Sequence, residues 1–327
     1  MDKQVFLVRY PTPKKAVQFY FDWFADAWLS EGGCVKKSNH VIPIKWASLL
    51  TRLGLIRSVE ELKSSSKACL MVCNSYPSAR AFPWNYRYEV IPVLWDSWPR
   101  YWRFTRSFIK HNQVKIFFTT SRQMCDLAKE WFPHLHAYWI PEGINTHIYN
   151  KGNELKCRSI DVLELGRKMS EFHEKLTRDK PENMKSHLFE KEPGQIIFPS
   201  FQELKNGLAD AKITVCFPRT MSHPLYAGGI ETLTQRYWEC MLSRTLIIGK
   251  APQELVDWVG YNPVVEINLE KVGTEVTNIL QNIDSYQDFV DKNYQTALKY
   301  GGWDNRVRMI KDKLEAHGYG FSMATKP

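Results

Sequence analysis

Two carboxylates, Glu231 and Glu239, stand eight residues apart in the segment GGIETLTQRYWECM. A strand-like ITVCFP and the loop RTMSHPLYAGG lead into them, and ETLTQRYWECML carries helical periodicity. Eight helical steps rise about 12 Å. That is the span from the sugar to the ribose of a nucleotide-sugar, with the pyrophosphate between. One carboxylate can then accept hydrogen bonds from sugar hydroxyls and the other from ribose hydroxyls. The helix N-terminus between them favours negative charge, as a pyrophosphate requires. This geometry needs no metal. Read alone, the same pair is two solvated helix carboxylates, and an E-x7-E spacing recurs by chance in a chain of 327 residues.

The elements that must position this pair alternate between short apolar runs and helical patterns. VFLVRY (5–10), CLMVCN (69–74), VIPVLW (90–95), KIFFTTS (115–121) and HAYWIP (136–141) read as strands, with SRQMCDLAKEWF as a helix among them. The polar, turn-rich EGINTHIYNKGNELKCR (142–158) reads as a boundary. A second alternation follows: SIDVLEL (159–165), QIIFP (195–199), ITVCFP (213–218), TLIIG (245–249) and PVVEIN (263–268) as strands. FQELKNGLADAK, PQELVDWVG, a helix near 274–299 and WDNRVRMIKDKLEAHG read as helices. The expected fold is α/β, with two Rossmann-like parallel-sheet domains facing across a cleft. The expected division is 1–150, 151–300 and a C-terminal helix in 301–327 that packs back on the first domain.

The text around the two glutamates resembles retaining glycosyltransferases of the GT-B fold, family 4 and the related spore-maturation type. The matching residues are Glu231-TLTQRYW-Glu239, IPEGINTHIY (140–149), DVLELGR (161–167) and the final helix with Trp303. The resemblance is good over 140–310 and holds in outline for the N-terminal half. It implies that Glu231 faces the donor sugar and Glu239 grips the ribose. It implies that backbone amides of Leu233, Thr234 and Gln235 touch the phosphates. It also gives Arg167 the role of binding the diphosphate, for which a guanidinium fork is suited. Three departures stand out: Thr234 and Arg244 where the family has glycine, and Phe172 where it has lysine. Lys168, His173 or Lys175 would then have to stand in for that lysine. Retention by front-face attack would use the donor phosphate as base, with no side-chain nucleophile, no metal and no cofactor beyond the donor.

The N-terminal half would supply the acceptor floor. Asp96 ends VIPVLW, where it either orients the acceptor hydroxyl or caps the turn before Ser97-Trp98-Pro99. Arg219 and His223, in the loop before Gly228, are placed to touch the donor sugar. WPRYWRFTRSFIKH (98–111) sets Arg100, Arg103, Arg106 and Lys110 among aromatic residues at helical spacing. Such a helix packs its aromatics on the sheet, lies on an anionic membrane, or grips nucleic acid.

Composition bounds the partners. A net charge of +9 is compatible with plain solubility or with a polyanion. With 44% hydrophobic and 13% aromatic residues the chain can bury a large core. Seven cysteines at irregular spacings suggest neither disulfides nor a zinc site. Short apolar runs and no leader pattern predict a cytoplasmic protein, peripheral at the inner membrane face if its acceptor is lipid-linked. The partners implied are a nucleotide-sugar and an acceptor glycan, glycolipid or nucleic acid. Three functions stay open: a transferase in polysaccharide or glycolipid synthesis, one modifying DNA bases as some phage enzymes do, and a non-catalytic nucleotide-sugar-binding module.

Overall fold

The computed structural model describes residues 3–11, 20–38, 42–43, 45–46, 49–50, 53, 66–166, 168–192 and 194–321. The chain forms two compact units, Met1–Glu142 with Trp303–Pro327, and Gly143–Gly302. Among the described residues the strands are β1 (Lys3–Arg9), β2 (Cys34–Lys37), β3 (Lys67–Cys73), β4 (Glu89–Leu94), β5 (Ile116–Thr119), β6 (His136–Trp139), β7 (Ile160–Glu164), β8 (His187–Phe189), β9 (Ala211–Cys216), β10 (Leu246–Gly249), β11 (Val265–Glu266) and β12 (Tyr319–Gly320).

The first unit holds a parallel sheet in the order β12-β1-β3-β4-β5-β6, with β2 also on β1. β3 runs along Gln4–Val8 of β1, while β12 pairs with Lys3 and Gln4 and β2 with Phe6–Arg9. β2 and β12 therefore share one edge of β1, end to end. Parallel strands need helical crossovers, so both faces are covered and the central strands are largely apolar. In β3 every residue from Ala68 to Cys73 is buried. Phe6, Met71, Leu94, Phe108, Phe117 and Met124 belong to one core.

The Trp303–Glu315 helix belongs to this unit. Trp303 stacks on Trp95 at 5.1 Å between ring centroids and meets Phe24 edge-on at 5.4 Å. Arg306, fully buried, donates Nε–H to the Pro141 carbonyl at 3.2 Å, and burial pushes its pKa down to about 9. Glu89 on β4 accepts from Lys3 of β1 and, at 2.5 Å, from the Tyr319 hydroxyl of β12. One buried carboxylate thus fastens the C-terminal strand to the N-terminal one.

The second unit is a parallel sheet in the order β11-β10-β9-β7-β8. Its core includes Val162, Phe172, Leu176, Ile213, Leu246 and Ile248. Asp161 on β7 accepts from Lys212 Nζ at 2.6 Å and from the Lys185 and Ser186 amides at 2.7 and 3.0 Å.

Four local expectations are corrected. QIIFP forms no strand; the edge strand is β8, in a stretch not read as a strand, and it pairs with β7. Ile196 is exposed, and Phe198 packs over Gly207, where a Cβ would lie 2.1 Å from its ring. Phe198 therefore covers the Phe201–Asp210 helix and joins no strand. RTMSHPLYAGG is not a plain loop but two single-turn helices, Arg219–Ser222 and Pro224–Ala227. The helix near 274–299 is two, Val272–Gln281 and Gln287–Tyr300, separated by a 3-10 turn at Ile283–Tyr286. The helix of ETLTQRYWECML begins only at Gln235. β2, β12 and the Tyr20–Ser30 helix lie in stretches given no element from sequence.

Glu89 and Asp161 make stability depend on pH with a defined sign. Burial alone raises each carboxyl pKa, but the hydrogen bonds and nearby lysines more than reverse it, so both are lowered. Their contribution is present above the unfolded values near 4 and is lost as pH falls through the folded ones. Asp161→Asn should cost about 1–3 kcal/mol at pH 7 in urea unfolding. Its deficit relative to the unmodified chain should shrink below about pH 4.

Candidate functional site

The strand order of the second unit places the site. From β7 the chain goes to β8 on one side and then returns to β9 on the other. Neighbouring loops leave in opposite directions at the carboxyl ends of β7 and β9, which opens a gap where open parallel sheets take ligands. A crevice lies there, lined by Glu164, Leu165, Lys168, Met169, Phe217 and Ser222.

Glu231 enters through a backbone device. Gly228 and Gly229 have φ of 55° and 85°, a left-handed succession that side chains with a Cβ resist. The pair reverses the chain after Pro224–Ala227 and sends Ile230–Thr234 along an irregular path. Glu231 is half-buried, and its Oε1 accepts from the Gln253 amide at 2.7 Å. The carboxylate therefore sits at the start of the Gln253–Val259 helix. It is not on the helix that carries Glu239, so an unbroken rise of about 12 Å does not describe the pair.

Glu239 is completely buried. Its Oε1 accepts from the Tyr149 hydroxyl at 2.9 Å, and its Oε2 lies 2.7 Å from the Arg236 guanidinium one helical turn earlier. Tyr149 belongs to the GINTHIY segment quoted above, and its hydroxyl brings that segment to the Gln235–Leu242 helix. Both carboxylate oxygens thus have partners inside the unit.

The remaining residues divide. Leu233 is buried and its amide donates to Glu254 Oε2 at 3.0 Å, so of the three amides read as phosphate contacts this one has a partner already. Thr234 is the extended N-cap of the Gln235–Leu242 helix and makes no side-chain cap bond. Gln235 opens that helix and is buried. Lys168 lines the crevice, with Nζ on the Glu190 carbonyl at 2.9 Å and 4.9 Å from the Phe189 ring centre. Arg219 lies over the Tyr226 ring at 4.0 Å, and His223 Nδ1 is 3.1 Å from Ser222 Oγ. Arg167 lies outside the described residues. Asp96 is exposed just past β4 with φ of 53°, and its Oδ1 accepts from Trp98 Nε1 at 3.1 Å.

The departures from the family pattern have local reasons. Phe172 is fully buried against Phe217, in a position where a lysine would lose its water. Lys175 is held between Glu171 and Glu270. His173 Nδ1 lies 2.6 Å from Glu164 Oε1. Arg244 adopts φ of 52°, the conformation for which glycine is favoured, and its guanidinium pairs with Asp291 and with the Gly152 carbonyl.

In the first unit, the Trp102–Asn112 helix buries Thr105, Phe108, Ile109 and Asn112 and exposes Arg103, Arg106 and Lys110. Phe108 packs inward and Trp102 borders the core, Phe104 lies beneath Arg103, and the cations remain on one outer face. Among the described residues no helix is long and apolar enough to cross a membrane.

Sequence reading missed Glu254 and the roles of Tyr149 and Arg236. Arg236 was readable as an i,i+3 partner of Glu239; the other two are joined to the site only by folding. Tyr149→Phe should cost roughly 1.5–3 kcal/mol, as for a hydrogen bond to a charged group. Chemical denaturation compared with Tyr294→Phe as a control measures it.

Among solved structures, a sucrose-phosphate synthase from Thermosynechococcus elongatus superposes with a TM-score of 0.62 at 11% identity, over 96% of this chain and 99% of that one. An α-glucosyltransferase bound to UDP and a 13-mer DNA containing an HMU base gives 0.55 at 9% identity, over 96% and 100%. AviGT4, a glycosyltransferase of avilamycin A biosynthesis, gives 0.51 at 14% identity, over 96% and 98%. No protein-family model matches the chain, and no curated protein matches it in sequence. At these identities the likeness is one of fold: the two parallel-sheet α/β units have the GT-B fold.

Proposed function

We propose that this chain is a glycosyltransferase that moves a sugar from a nucleotide-sugar to an acceptor hydroxyl with retention and without a catalytic metal. The observation that carries the reading is the convergence on one unit of a strand-order reversal and the Glu231–Glu239 segment. The reversal supplies a ligand gap. The segment holds Glu231, which is assigned to the donor sugar, and Glu239, which is assigned to the ribose. The fold shared with three glycosyltransferases adds weight.

The chemistry asks for charge stabilisation more than for a nucleophile. As the glycosidic bond to the diphosphate breaks, negative charge grows on the departing phosphate. Arg167, Lys168 and the Thr234 and Gln235 amides are assigned to it, with Arg219 and His223 toward the sugar. Preorganised donors aimed at developing charge are worth about 10²–10³-fold each. The phosphate oxygen that loses its sugar takes the acceptor proton on the same face. Asp96 is assigned to orient the acceptor.

The acceptor is assigned to a glycan or lipid-linked glycan, with Arg103, Arg106 and Lys110 on anionic headgroups. A second reading has a modified DNA base as acceptor. The solved α-glucosyltransferase with HMU-containing DNA and the charge of +9 favour it. Binding to DNA that weakens steeply with salt supports that reading; sedimentation with anionic vesicles, lost in Arg103→Glu, supports the lipid one.

A thermal-shift panel of UDP-, GDP-, ADP- and dTDP-sugars tests donor binding. A ligand at 100 times its Kd adds about 2.7 kcal/mol, and no shift with any member would sink the proposal. With the active donor, Glu231→Gln should lower transfer on the order of 10²-fold while the protein stays folded.

A further inference from the structure

We infer that Glu164, His173 and His187 form a binding site for a zinc-class divalent cation in the second unit. The inference stands on this unit's geometry alone and does not depend on the donor reading. Glu164 ends β7, His173 lies on the Ser170–Arg178 helix and His187 begins β8. Glu164 Oε1 is 2.6 Å from His173 Nδ1 and 2.8 Å from His187 Nε2. The three ligand atoms lie within 4.8 Å of one another, and no other such trio occurs among the described residues.

The second observation is an orphan. The Glu164 side chain is 2% exposed, and among the described residues its Oε2 has no hydrogen-bond partner. A buried carboxylate oxygen without a donor is costly, and a cation is the ligand that relieves it. Two imidazoles with one carboxylate make a donor set that zinc takes, with a fourth position left to water. His173 is 17% and His187 9% exposed at the side chain, and Glu164 lines the open crevice, so an ion has a way in. Bonds of about 2.0–2.2 Å place tetrahedral ligand atoms about 3.3 Å apart. The ring nitrogens and the carboxylate therefore part by roughly half an ångström on binding, or Glu164 turns to offer Oε2. Binding also requires His173 to carry its proton on Nε2 and His187 on Nδ1. Those tautomers are the reverse of the ones that donate to Glu164.

Such an ion would tie β7, the Ser170–Arg178 helix and β8 together at the base of the loop that contains Gly166 and Lys168. It is a structural clamp on that loop and no participant in the bond-breaking step.

The test uses the full chain in a Cys157→Ser background, because Cys157 is an exposed thiol. Zinc chloride followed by calorimetry should bind with one equivalent and raise the melting temperature. Cobalt should give visible absorption without a thiolate band. Nitrogen-15 spectra should show both imidazoles changing tautomer. His173→Gln and Glu164→Gln should each weaken binding by more than the roughly 10–100-fold that loss of a supporting partner costs. No stoichiometric binding to the parent chain overturns the inference, and so does equal binding by His173→Gln. Should a variant fail to fold, the tautomer change in the parent chain decides alone: unchanged imidazoles mean that the trio is a hydrogen-bonded cluster and no metal site.

Discussion

A parallel strand cannot be followed by its neighbour through a tight turn. Each connection must cross back over the sheet, so all carboxyl ends gather along one edge. Everything distinctive about the second unit follows from that constraint. When the chain visits β8 first and then returns to β9, the loops after β7 and β9 diverge, and a gap opens between them. Glu164, Lys168 and Phe217 line it because they end or follow those strands. The strands are largely apolar, and the crevice lies where two of them stop.

Where charge does enter the interior, it is bound from several directions. Glu239 has Tyr149 and Arg236, Asp161 has Lys212 and two amides, and Glu89 has Lys3 and Tyr319. Arg306 has backbone carbonyls of Pro141 and Glu142. Arg158 likewise reaches the carbonyls of Asn153 and Ala211, and burial, with the Arg244 charge beside it, pushes its pKa down to about 10. Removing one partner from such a group is more damaging than the bond's net worth, because the charge left behind stays dry. These knots also lock order: Glu89 joins the two ends of the chain within one unit, which no apolar contact would do with the same selectivity.

The residues that depart from the pattern the sequence resembles have clear local settings in the fold. Arg244 takes a left-handed conformation that disfavours a side chain, and Asp291 and Gly152 hold it there. Phe172 turns a position read as phosphate-binding into core, and it packs on Phe217 at the very strand end where the gap opens. Lys168, on the loop after β7, lines the same crevice as Phe217.

Periodicity determined much of this protein in advance. Apolar runs such as CLMVC and VLEL had to be buried parallel strands, and most of the twelve follow from that pattern alone. The Glu231–Glu239 spacing and its two glycines were visible for the same reason, since local backbone preference is written in local residues. What failed was long-range competition. QIIFP has strand-like composition, but SHLF reached the β7 edge, and only sheet pairing decides between two such segments. Thr232 and Thr234 follow a glycine pair, so the helix starts four residues after Glu231 and the carboxylate goes to the Gln253 amide. Tyr149, Glu254 and the Glu164–His173–His187 trio come from segments far apart in the chain. No local pattern records such meetings, because the free energy that makes them belongs to the folded sheet and its crossovers.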